Sequence, residues 1–246
     1  LCGSICAVVP ACASFPHDRL LLGASIGGAA FLAEVVEHTL IQPRPRWRSF
    51  GAGCVLALHL ALAPALCLLR ASTVGHLDHL LRAQQHTLPS TEAVRGQTVV
   101  LINPPIDPLA AYLAPYRALH GIPVPGALYW LATGVSELKL STLDAHTLTV
   151  SPREGYLWSS SQRMLRDPSK NRDYEPVQLR EATFEVTATT DDGRPATLQV
   201  RFERRLDDPG LRFFRWQGRG YTEVRPPAAG QSMVLPAVDS WAALGG

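Results

Sequence analysis

Glu34 and Glu37 stand three residues apart in an otherwise apolar stretch, so a helix there carries both carboxylates on one face. Acids so placed could hold a proton or a cation inside a helical bundle, or sit at an interface beside the arginines of Arg44–Arg48. Asp18-Arg19 is a second charged doublet, just ahead of Gly23, Gly27 and Gly28. Asp18, Arg19, Glu34 and Glu37 are the functional candidates that the charge pattern offers. His76, Asp78, His79 and His86 also crowd together, but their spacing fits no strong zinc pattern and reads as a solvated helix face. Ser159-Ser160-Ser161 reads as a loop, and Asp207-Asp208 before Pro209-Gly210 as a turn. No GxSxG, HExxH, phosphate loop or dinucleotide fingerprint in a strand–helix context occurs. Catalytic residues are therefore left unassigned, and no cofactor or metal is implied.

The elements that must position these residues divide sharply by composition. Residues 1–70 carry five basic groups (Arg19, Arg44, Arg46, Arg48, Arg70) and three acidic ones (Asp18, Glu34, Glu37). The remaining basic and acidic groups of the 246-residue chain balance, so its net +2 belongs to the first part. A formally neutral second part has no basic field to draw nucleic acid, which is excluded as a partner. All five cysteines (Cys2, Cys6, Cys12, Cys54, Cys67) also lie in the first part, where they read as small packing residues.

Ser49–Leu69 contains no Asp, Glu, Lys or Arg. As one helix it would span about 30 Å, the thickness of a bilayer core. Leu20–Ile41 reads as an earlier span containing Glu34 and Glu37, with small residues suited to close helix packing. Residues 1–14 read as the truncated end of a further helix. The arginine-rich loop Gln42–Arg48 should then face the cytoplasm, placing everything after Arg70 outside. Expected partners are the lipid bilayer and upstream transmembrane helices of the same protein, in a bacterial inner membrane.

Val74–His86 reads as a short amphipathic helix, with Val74, Leu77, Leu80 and Leu81 on one side, serving as a connector ahead of a linker that ends near residue 95. Thr98–Ile102 is a buried strand by its continuous apolar run, followed by a helix opening at Asp107-Pro108 and stopped by Gly121. Pro115 should strain or kink that helix. No parallel continuation as strand–helix–strand is expected. From Ala127 the apolar period becomes two, placing strands at Leu128–Ala132, Glu137–Ser141, Thr147–Ser151, Thr183–Thr190, Thr197–Arg204, Leu211–Gln217 and Tyr221–Val224. Asp192-Gly193 marks a tight hairpin.

The expected fold is thus transmembrane α-helices (1–70), a juxtamembrane helix and linker (71–95), and a mainly-β (α+β) soluble domain over 96–236. That domain reads as a β-sandwich or open barrel with one packed helix, and 237–246 as a flexible tail. Its expected role is that of an envelope-facing accessory or interaction domain, with a glycan, lipid or protein partner.

Four segments carry a resemblance. Val9-Pro10-Ala11-Cys12-Ala13-Ser14-Phe15-Pro16-His17-Asp18-Arg19-Leu20-Leu21, with Ser25-Ile26-Gly27-Gly28, resembles a group of uncharacterised multi-pass bacterial membrane proteins. Val99-Val100-Leu101-Ile102-Asn103-Pro104-Pro105 and Thr189-Thr190-Asp191-Asp192-Gly193-Arg194-Pro195 are similar to that group's C-terminal extracytoplasmic domain. The first stretch also looks like the loop and helix of membrane glycosyltransferases of the lipid-phosphosugar-dependent type, with Asp18-Arg19 and Ser25-Ile26-Gly27 in the matching places. That likeness implies the C-terminal part of a transferase whose remaining acids lie in earlier loops.

Overall fold

The computed structural model describes residues 28–30, 32–34, 36–37, 46–159, 162–163, 174–240 and 243. The chain forms two compact units, Leu1–Val74 and Gly75–Gly246.

In the first unit the apolar run Ser49–Leu69 is not one α-helix. Helix α1 covers Arg46–Ala57, a π-helical turn covers Leu58–Leu62, and α2 begins at Ala63 and runs to Gln85. The Ala63 N–H donates to the Leu58 carbonyl five residues back. Pro64, next in line, has no N–H to restore the four-residue ladder. The transmembrane expectation is overturned, because among the described residues no helix is long and apolar enough to cross a membrane. The physical reason is local. Twelve residues of α1 rise only about 18 Å, and α2, though 23 residues long, carries Arg70, Asp78 and Arg82. The multi-pass organisation expected for 1–70 is withdrawn with it. Arg46 and Arg48, expected in a loop, belong to the first turn of α1. Residues 1–14 lie outside the described residues.

The second unit is a mixed α/β domain with two sheets. Its strands are β1 (Thr98–Leu101), β2 (Ala127–Trp130), β3 (Leu138–Thr142), β4 (Thr147–Pro152), β5 (Val177–Gln178), β6 (Ala182–Thr189), β7 (Pro195–Phe202), β8 (Leu211–Gln217), β9 (Gly220–Val224) and β10 (Ser232–Leu235); helix α3 covers Asp107–Leu119. The four-stranded sheet has the order β2-β1-β8-β9, and the six-stranded sheet the order β10-β3-β4-β7-β6-β5. The second sheet is antiparallel throughout.

In the first sheet, β1 pairs in parallel with both β2 and β8. β1, α3 and β2 therefore form a strand–helix–strand unit, contrary to the sequence expectation. The reason lies in the length of the connection: 25 residues separate Leu101 from Ala127, ample for a crossover helix. β1 is buried at all four positions, as a strand covered on both faces must be. Val100, Ile102, Leu211 and Phe213 meet Leu138, Leu140, Leu148, Val150, Val200 and Phe202 of the six-stranded sheet in one core. Val99, Leu101, Phe214 and Trp216, alternating to the opposite face, pack with Ala110 and Leu113 of α3. The order of layers is helix, four-stranded sheet, six-stranded sheet.

The last turns of α2 belong to this unit as well. Leu81 packs with Leu109 and Tyr116, so the expected connector is a packed element. The expected Asp192-Gly193 hairpin is present: Gly193 adopts φ +84°, and Thr190 N–H donates to the Arg194 carbonyl at 2.8 Å. Arg194 then donates to the Asp192 carboxylate at 2.7 Å and to the carbonyls of Glu154 and Tyr156, tying the turn to the segment after β4.

Candidate functional site

The passages of chain between the two sheets build a cleft. The segment from β7 to β8 supplies Arg205, Leu206, Asp207, Asp208 and Pro209, and the segment after β9 supplies Arg225 to Ala229. The β3–β4 turn brings Thr142, Asp144 and Ala145 to face the first residues of β8. The volume is about 740 Å³, within the range of small-molecule sites. Leu211, Phe213 and Val224 give it an apolar floor where the core of the sandwich reaches the surface.

Its carboxylates are all engaged. Asp144 accepts from the backbone N–H of His146 at 2.7 Å and from the Thr147 hydroxyl at 3.0 Å, which hold its pKa below the usual carboxylate range. Asp207 is gripped by both ends of the Arg205 guanidinium, at 2.9 and 3.1 Å, with the same effect. Arg212 forks onto Glu223 at 2.8 and 2.6 Å and depresses that carboxyl too, while its own guanidinium lies 5.3 Å from the Phe214 ring centroid. Asp208 accepts from the Gly210 N–H at 2.7 Å.

Two groups are left over. Arg225 has no ion-pair partner among the described residues, although its charge contributes to lowering Glu223. The Thr142 hydroxyl is buried without a hydrogen-bond partner. The carboxyls pushed downward are ionised near neutrality, and their lone pairs already accept hydrogen bonds, so they suit neither proton donation nor abstraction. A cleft of this kind can hold a molecule by shape, by its apolar body and by one acidic group.

Of the residues singled out in the sequence, Asp18 and Arg19 lie outside the described residues. Glu34 and Glu37 fall on helical residues and are exposed. Among the described residues no group of three or more His, Cys, Asp and Glu side chains could hold a metal ion. Asp207-Asp208 was legible as a turn but not as a wall of a cleft. The available signal was the alternation Arg204-Arg205 to Asp207-Asp208, together with opposite charges at Arg212 and Glu223 of a hairpin. No family model, no curated protein and no solved structure matches this chain.

Proposed function

We propose that the Gly75–Gly246 unit is an accessory binding domain, acting by interaction rather than catalysis, and that it takes an amphipathic ligand with an acidic group in the cleft between its sheets. One observation carries this reading: a cleft of about 740 Å³ with an apolar floor, whose carboxylates are tied down while Arg225 is left without an ion-pair partner among the described residues. The apolar body would cover Phe213 and Val224, and the acidic group would meet Arg225 at the rim.

Titration of the full chain with dodecanoate and with a short-chain phosphatidylglycerol below its micellar concentration tests it, with uncharged amphiphiles of the same chain length as comparison. The acidic amphiphiles should bind. Ala229→Trp, which fills the mouth from an exposed loop position, should weaken them roughly tenfold or more, the equivalent of about 1.4 kcal/mol. Arg225→Ala should weaken the acidic ligands and leave their uncharged analogues alone. Absence of binding, or binding indifferent to both substitutions, overturns the reading.

A further inference from the structure

A second, smaller crevice opens at the other kind of place where α/β units hold ligands, outside the carboxyl ends of parallel strands. It is lined by Trp130 and the residues that follow it at the end of β2, by Asp107 at the start of α3, and by Tyr156, Trp158 and Gln162. Trp130 and Trp158 are exposed to 40% and 43%, unusual values for the largest apolar side chain, and both line the same crevice.

The polar groups beside them are incomplete. Gln162 Nε2 donates to Asp107 Oδ2 at 2.9 Å, which orients the amide so that Oε1 is its remaining acceptor. Gln162 Oε1 is buried with no hydrogen-bond partner. Tyr156 Oη is buried and likewise unpartnered, and burial pushes its pKa up, so the phenol keeps its proton. An orphaned buried acceptor and an orphaned hydroxyl each carry a desolvation cost that a ligand bearing O–H groups would remove.

We propose that this crevice binds a neutral carbohydrate, with a pyranose ring lying against the exposed indoles and its hydroxyl edge reaching Tyr156 and Gln162. The volume, about 80 Å³, admits two or three hydroxyl-sized groups at roughly 30 Å³ each, which is the edge of a sugar rather than a whole ring. The apolar C–H face of the ring would then remain outside, on the indoles. A quaternary ammonium ion would also suit aromatic walls but has no proton to give Gln162 Oε1. Among the described residues no Lys or Arg lines the crevice, and the Asp107 carboxylate repels phosphate and carboxylate groups, so nucleotides and acidic sugars are disfavoured.

The test is a titration of the full chain, followed by saturation-transfer NMR, with methyl glycosides of glucose, galactose, mannose and N-acetylglucosamine, their short oligomers, and adenosine and choline as competitors of other classes. At least one saccharide series should bind, with Trp130→Ala and Trp158→Ala each lowering affinity roughly tenfold. Tyr156→Phe should weaken binding while leaving the thermal midpoint unchanged or higher, because it removes an unpartnered hydroxyl from a buried place. Ala229→Trp in the larger cleft should leave saccharide binding unaffected, which separates this site from the one above. No saccharide binding up to about 10 mM, tighter binding of adenosine or choline, or saccharide binding untouched by both tryptophan substitutions overturns the proposal.

Discussion

Arg117 is 1% exposed and meets no carboxylate among the described residues. Its guanidinium donates to the Pro123 carbonyl at 2.8 Å, to Gln85 Oε1 at 2.7 Å and to the Pro89 carbonyl at 2.5 Å. Burial lowers its pKa, yet arginine starts so high that it remains charged. One cation thus clasps α2, the loop after it and the loop after α3. Arg117→Ala should cost about 3 kcal/mol in urea unfolding, by stranding three acceptors and leaving a void. Arg117→Lys should recover only part of this, since a single ammonium cannot reach three directions in the guanidinium plane. At the surface, Asp192 behaves in the opposite manner. Arg194 and then the Thr190 hydroxyl hold its carboxyl at about 2. The folded pKa lies below the unfolded value of about 3.9, so this contribution is complete above about pH 4 and is lost as pH falls towards 2. Thermal midpoints measured across that window should fall less steeply for Asp192→Asn than for the parent.

Among the elements, β1 is the most constrained. It is central, parallel to both neighbours and buried at every position, with the Asn103 side-chain oxygen just beyond it accepting from the Trp216 backbone N–H at 2.8 Å. β5 is its opposite, two exposed residues at the edge of the six-stranded sheet. Hydrogen exchange followed by NMR should find the β1 and β8 amides slowest and those of β5 among the fastest of the strands. Uniform rates across the two sheets would contradict this layering. The same contrast explains which strands were legible. Leu211–Gln217 is rich in apolar and aromatic residues between Gly210 and Gly218, and the observed bounds of this strand and of Tyr221–Val224 agree to within a residue. β5 is too short for any period to register, and β10 lies in a stretch broken by prolines at Pro226, Pro227 and Pro236. Helix α3 was legible from Asp107-Pro108 to Gly121 because its signals are local: a proline in the first turn and a glycine at φ +67° after the last.

For the molecule as a whole, hydropathy was the misleading guide. Ser49–Leu69 has the composition of a membrane span, but composition does not record whether the backbone remains one helix, and here it passes through a π turn. The chain by itself determined the things that depend on near neighbours: the alternation of strands, the Asp192-Gly193 hairpin and the helix ends. Only the tertiary structure decided which distant segments meet. β1 finds β8 across more than a hundred residues, Thr98 Oγ1 reaches Glu181, and Arg212 reaches Gln97. Both clefts are products of such meetings, so neither is visible in any window of sequence. Glu34 and Glu37, whose spacing first suggested chemistry, lie exposed on helical residues, whereas Arg225, Trp130 and Trp158 gain their significance only from what the fold places beside them. Local conformational preference is written residue by residue, but a binding site depends on long-range closure of the chain, whose entropic cost only the packed core repays.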